Sequence, residues 1–225
     1  MTKSQQVLAF DVYGTLIDTQ ALTHELSKLC GDKATLFAKL WREKQVEYSF
    51  RRGLMQRYET FEVCTKDALN FVDRHLNCEF TEQQKSQLMK SYEALPAFDD
   101  VKESLNILQR SNYQIYAFSN GTTDAIESLL TQADLVHLFD DIISVDAVQS
   151  FKPNPAVYQH LLNTTGTKAN QTWLISSNPF DVSGAISTGL KSVWLKRHAE
   201  QTFDPWEFQP TVTIETLLDL KDCFD

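Results

Sequence analysis

The sequence predicts an α/β fold, a doubly wound, mostly parallel sheet with a helical bundle inserted after its first strand. Three observations predict it. Short apolar runs rich in β-branched and aromatic residues recur at Val7–Phe10, Ile115–Phe118, Ile142–Val145, Trp173–Ile175 and Val193–Leu195. Helical-length segments separate most of them. Strands buried on both faces read as continuous apolar runs, which is the pattern of a parallel sheet covered by helices. The stretch from Thr19 to Ala94 breaks the alternation, with helical periodicity and no convincing strand. The expected organisation is therefore a sheet-bearing core from residues 1–18 and 96–225, with residues 19–95 as a helical cap.

The first run ends in Asp11 and opens into Val12-Tyr13-Gly14-Thr15. A carboxylate at the carboxyl end of a buried strand, before a glycine turn, lies where open α/β sheets place their chemistry. Within the insertion, Leu36, Phe37, Leu40, Trp41, Val46 and Phe50 recur at helix-like intervals, and Thr65 and Thr81 are expected helix starts. Leu95-Pro96-Ala97-Phe98 is the expected return linker. The second run ends in Ser119-Asn120-Gly121, and Phe151-Lys152-Pro153 follows the third. The fourth ends in Ser176-Ser177-Asn178-Pro179-Phe180-Asp181. Right-handed crossovers bring the carboxyl ends of the strands to one edge. An acid, a hydroxyl, a lysine and a second acid then share one crevice, beneath the helices.

The composition bounds the function. The 225 residues, 42% of them hydrophobic, suffice for one sizeable core and a second small unit. A formal net charge of -9 argues against nucleic acid or acidic membranes as partners, so an anionic substrate has to be drawn in by local cations. No apolar run approaches the ~18 residues that span a bilayer, and the N-terminus lacks the layout of a signal peptide. The four cysteines, Cys30, Cys64, Cys78 and Cys223, have no paired spacing, as expected of reduced thiols in a cytoplasmic protein. The five histidines show no ligand spacing, and no metal or cofactor is assigned.

Taken together and in this order, the four strand-end segments resemble the haloacid dehalogenase superfamily, and more narrowly its L-2-haloacid dehalogenases. The resemblance extends to the insertion, through Leu40-Trp41-Arg42-Glu43-Lys44-Gln45-Val46-Glu47-Tyr48 and Leu54-Met55-Gln56-Arg57-Tyr58. It implies a Rossmann-like core with a helical cap, and commonly a homodimer. By the same resemblance Asp11 would be the nucleophile, and Thr15 and Ser119 would hold its carboxylate or that of the substrate. Arg42 would receive a departing halide. Lys152 would keep Asp11 ionised and oriented, and Tyr158 would support Lys152 or the substrate. Ser176, Asn178 and Asp181 would position the hydrolytic water and the reacting carboxylate. Substrate contacts fall to Tyr13, Arg42, Val46, Phe61, Ser119, Asn120 and Phe180. The family often has Gln where this chain has Glu43, and Trp where it has Phe180. An acid at 43 facing the site would repel an anionic substrate, and the smaller ring at 180 would widen the pocket.

The residue two places after Asp11 narrows the reaction. The resemblance says that phosphatases of this superfamily carry a second Asp there to protonate an alkoxide leaving group, with Mg²⁺ offsetting the phosphate charge. This chain has Tyr13, a poor proton donor near neutral pH. A halide leaves without a proton, and a 2-haloacid carries a single carboxylate that needs no metal. The expected activity is hydrolysis of L-2-haloalkanoic acids to D-2-hydroxy acids through an aspartyl ester, with inversion at C2. A Mg²⁺-dependent phosphatase, or a non-catalytic member that binds a small acid or a partner protein, are the alternatives.

Overall fold

The structure is a computed structural model and describes residues 6–111 and 113–224. Its centre is β1, Val7–Phe10, in which every residue is buried. A strand without an exposed face is covered on both sides, and its composition follows from that. β1 pairs in parallel with β2 (Gln114–Ser119) on one side and β4 (Thr172–Ser176) on the other. β3 (Asp141–Ser144) extends the sheet beyond β2, and β5 (Lys191–Leu195) extends it beyond β4. A sixth strand, β6 (Val212–Ile214), completes the order β3-β2-β1-β4-β5-β6. All the pairings are parallel, so the sheet is wholly rather than mostly so.

The five expected strands are present, each within a residue or two of the predicted span. Val145 falls just outside β3, at the start of a 3₁₀ turn. β6 escaped the sequence reading because it has three residues at the sheet edge, and only Ile214 is buried. The strand order reverses about β1. The chain runs outward through β2 and β3, then returns to the far side for β4, β5 and β6. The carboxyl ends of β1 and β4 therefore lie at a topological switch point, where such sheets open a crevice. Asp11 and Ser176 stand at these two ends.

Between β1 and β2 the chain forms α1 (Thr23–Cys30), α2 (Ala34–Leu54), α3 (Phe61–Leu76) and α4 (Glu82–Tyr92), then α5 (Val101–Gln109). α2 packs against α1 and α3. Thr81 starts α4 as expected, with a capping box closed by Gln84. Thr65 does not start a helix: Thr60 caps α3 by accepting from the Val63 amide, and Thr65 lies buried one turn inside. The segments leaving and rejoining the sheet run side by side. Asp18 N–H donates to Pro96 O at 2.9 Å, and Phe98 N–H donates to Leu16 O at 3.0 Å. Later come α6 (Thr123–Gln132), α7 (Pro155–Thr165) and α8 (Pro179–Ser187), with α8 packed on β4 and β5. Among the described residues no helix is long and apolar enough to cross a membrane.

Candidate active site

The chain beyond β1 turns sharply, so the Asp11 carboxylate faces the ends of neighbouring strands. Gly14, at φ +84°, supplies the left-handed backbone this turn requires. Gly14 N–H donates to Ile17 O, and Leu16 and Ile17 N–H both donate to Val12 O. The turn brings Thr15 back over Asp11. Thr15 Oγ1 donates to Asp11 Oδ2 at 2.7 Å while accepting from the Ser177 amide at 2.9 Å, which commits its single proton to the carboxylate. Ser176, at the end of β4, works alike. Its Oγ accepts from the Asn178 amide at 3.1 Å and donates to Asp11 Oδ2 at 3.2 Å. Asn178 Nδ2 is the third donor, at 2.7 Å from Oδ2.

The two oxygens of Asp11 are thus unequal. Oδ2 receives three neutral side-chain donors, whereas Oδ1 receives the Lys152 ammonium at 3.1 Å. Lys152 is 1% exposed, and its ammonium also donates to Phe118 O at 2.8 Å and to Asp181 Oδ2 at 2.8 Å. It lies over the Phe118 ring, 4.2 Å from the centroid. Its backbone is pinned as well, since Lys152 N–H donates to Asn120 Oδ1 at 3.0 Å. A buried cation with this many oxygens around it has its desolvation offset by charge and hydrogen bonds together.

Asp181 sits in the first turn of α8, fully buried, and accepts from the Tyr158 hydroxyl at 2.8 Å. Burial pushes its carboxyl up to about 6, against the pull of Lys152 and with further upward pressure from Asp11. Burial likewise holds the Tyr158 hydroxyl well above its ordinary range, so it stays a donor. Among the described residues the Tyr158 hydroxyl is hydrogen-bonded to Asp181 and not to Lys152, and the Asp181 carboxylate to Lys152 and not to Asp11.

From the helices, Arg42 of α2 extends to the strand ends. Its Nη2 donates to Tyr13 O at 3.2 Å and to Asn178 Oδ1 at 3.4 Å, and its Nη1 donates to Gln45 Oε1 at 2.7 Å. The Tyr13 ring packs against Phe61 and Tyr92, with centroids 5.5 and 5.9 Å away. Burial, more than the neighbouring Tyr92, raises the Tyr13 hydroxyl far above its usual range. It remains protonated and is a weaker acid than an exposed tyrosine.

The other sequence-predicted residues sit further out. Ser119 is buried at the end of β2, where its Oγ accepts from the Gly121 amide at 3.3 Å and does not touch Asp11. Phe180 meets Phe50 of α2 edge-on at 5.1 Å. Val46 lies half-buried one turn after Arg42. Glu43 does not face the site: its side chain is 55% exposed, with Lys39 Nζ 3.9 Å away.

Three groups were missed in the sequence. Ser177 braces the turn, its Oγ donating to Gly14 O at 2.5 Å. Arg197, beyond β5, donates to Thr15 O from Nη2 at 2.6 Å and holds both oxygens of Asp100 at 2.8 Å. Gln45 joins Arg42 to the helices behind it. Only Gln45 carried a sequence signal, standing three residues after Arg42 and so on the same helical face.

A family model described as haloacid dehalogenase-like hydrolase matches residues 8–195. The chain is 35% identical over 190 residues to an (S)-2-haloacid dehalogenase of Pseudomonas sp. (strain YL), covering 84% of this chain and 82% of the relative. It is 31% identical over 215 residues to haloacetate dehalogenase H-2 of Moraxella sp. (strain B), covering 96% of each. Its fold superposes on the L-2-haloacid dehalogenase from Xanthobacter autotrophicus with chloropropionic acid covalently bound. There the TM-score is 0.90 and the identity 27%, covering 96% of this chain and 97% of that one.

Proposed function

The chain belongs to the haloacid dehalogenase-like hydrolases, and from that premise we propose that it hydrolyses L-2-haloalkanoic acids to D-2-hydroxy acids by way of an ester on Asp11. The observation that carries the reading is the asymmetry of that carboxylate, with three donors on Oδ2 and, among the described residues, Lys152 alone on Oδ1.

Oδ1 is the freer oxygen and attacks C2 from the side opposite the halogen. The C–X bond breaks as the C–O bond forms, and the halide leaves with the bonding pair and no proton. Arg42 receives it. Water then attacks Cγ of the ester, and charge collects on Oδ2, where Thr15, Ser176 and Asn178 already point their protons. Collapse of this adduct returns the carboxylate, releases the hydroxy acid and sheds one proton to solvent by way of Asp181. C2 is attacked once, so its configuration inverts once. Tyr13, Phe61 and Phe180 form the dry wall that a nucleophilic carboxylate needs. In this reading Ser119 and Asn120, just beyond β2 and with Asn120 Oδ1 holding the Lys152 amide, take the substrate carboxylate.

The donor set argues for chemistry without a metal. Lys152 already fills the gap between Asp11 and Asp181, Tyr13 replaces the second acid, and among the described residues no three His, Cys, Asp or Glu side chains form a metal-binding group. Residues 19–95 act as the cap in this reading, and the protomer pairs as a homodimer. The test is a single turnover of excess enzyme with L-2-chloropropionate in H₂¹⁸O containing EDTA. Label is expected in Asp11. Chloride release with label only in the lactate would overturn the ester, and no chloride release would overturn the activity.

A further inference from the structure

The two cations of the site keep different company. Lys152 faces two carboxylates. Arg42 faces neutral oxygens, those of Tyr13, Asn178 and Gln45 and the Tyr92 hydroxyl beside them, and among the described residues no carboxylate forms an ion pair with it. An arginine withdrawn even partly from solvent commonly takes a carboxylate partner, since two parallel hydrogen bonds and opposite charge then coincide. Here an amide stands where such an acid would be.

Gln45 is itself fully buried and fully engaged. Its Oε1 accepts from Arg42 at 2.7 Å and from the Tyr92 hydroxyl at 2.9 Å, and its Nε2 donates to Thr65 Oγ1 at 2.5 Å. Thr65 Oγ1 passes its proton to Phe61 O at 2.8 Å, and Thr65 O accepts from Trp41 Nε1 at 2.8 Å. Burial raises the Tyr92 hydroxyl above its ordinary range, so it remains a donor. Flipping the amide would set its NH₂ against the donor-only guanidinium, and would set Oε1 against Thr65 Oγ1, whose proton is already given to Phe61 O. α3 and α4 thereby fix which end of Gln45 meets Arg42.

We propose that Gln45, locked by Thr65 and Tyr92, is a positioning residue that aims the Arg42 guanidinium at the departing halide while leaving its positive charge uncancelled. The inference rests on the proposed function, in which Arg42 takes the halide. The amide is suited to both tasks. A carboxylate of the same shape would hold the guanidinium as well, but would neutralise it against an anion. A hydrocarbon of the same size would leave the charge and lose the aim.

Three variants separate these effects, each assayed for L-2-chloropropionate turnover with chloride and bromide as added product inhibitors, and each checked for folding by circular dichroism. Gln45→Glu is expected to lower kcat and to weaken halide inhibition about tenfold or more, by placing a negative charge beside Arg42. Gln45→Leu is expected to lower kcat and weaken halide inhibition through lost alignment. Tyr92→Phe removes one donor to the amide and leaves the charge intact, so a smaller change in the same direction is expected, and this conservative variant stands for the test if the Gln45 variants do not fold. A packing role alone would alter stability and leave halide inhibition unmoved. Wild-type halide inhibition in all folded variants overturns the inference. An inactive wild-type enzyme overturns the proposed function instead, so the two failures read differently.

Discussion

The Lys152 ammonium stands between the carboxylates of Asp11 and Asp181, 3.1 Å from one and 2.8 Å from the other. One cation thus serves two acids, and the buried cluster keeps a net negative charge. Replacing Lys152 by Met removes the only cation that bridges them. Loss of one partner of a buried ion pair costs about 3–5 kcal/mol, so Lys152→Met is expected to fall by that order in urea unfolding and to release no halide. An unchanged unfolding midpoint would show that the acids do not depend on the lysine.

Asp11→Asn removes the nucleophile and keeps the shape. Halide release is expected to fall by on the order of 10⁴-fold or more, as for other essential nucleophiles. The near-isosteric amide retains an oxygen for Thr15 and Ser176, so thermal unfolding should still be cooperative. Activity within tenfold of wild type would remove Asp11 from the reaction.

Asp181 sets a pH limit. Ionised, it pairs with Lys152, and in the proposed mechanism this is the form that takes up the proton of the attacking water. Its carboxyl is pushed up to about 6 by burial, so kcat/KM is expected to decline as the pH falls through that region, well above the range of an exposed acid. Stability moves the opposite way. The folded chain binds this proton more tightly than the unfolded chain, so the contribution of this group to folding is fully present below the ordinary carboxylate value. It is lost as the pH rises through about 6. Paired profiles of kcat/KM and urea midpoint check this, and an Asp181→Asn variant should flatten the stability component. An acid limb at ordinary carboxylate values would reject the assignment.

Gly184 on α8 faces Tyr158 and the Pro153 ring, and a Cβ there would overlap both, coming within 2.6 Å of Pro153 Cβ. The fully buried phenol hydrogen-bonded to Asp181 and the proline are both rigid, so neither can yield without moving Asp181 or Lys152. Gly184→Ala is expected to destabilise the fold by about 1–3 kcal/mol, as overpacking does, and to lower kcat more than it raises KM. Wild-type kcat in a folded variant would show that the contact is slack.

The sheet and the proposed reacting groups were legible for the same reason. Strands buried on both faces leave unbroken apolar runs, and Asp11, Ser119 and Ser176 stand at or just beyond the ends of three of them. Asp11, Lys152, Ser176, Asn178 and Asp181 could be brought together from their order along the chain, before any distance was known. Legibility ended where a residue acts through another. Gln45 and Tyr92 look like ordinary helical polar residues, and Arg197 like a surface cation after β5, until packing turns them inward. Thr65 was misread as a helix start because a threonine that caps a helix and one that hydrogen-bonds within it have the same composition around them. β6 left no run because one buried residue in three makes no pattern.

The switch point at β1 has a consequence for the order of synthesis. Asp11 leaves the ribosome 141 residues ahead of Lys152, 165 ahead of Ser176 and 167 ahead of Asn178, its ammonium partner and two of its three Oδ2 donors. A nascent chain halted before Lys152 would present Asp11 with Thr15 alone. The central strand itself lacks one neighbour until Ser176 has emerged. On the proposed mechanism Asp11 is not armed early, and catalytic competence would arrive together with the second half of the sheet.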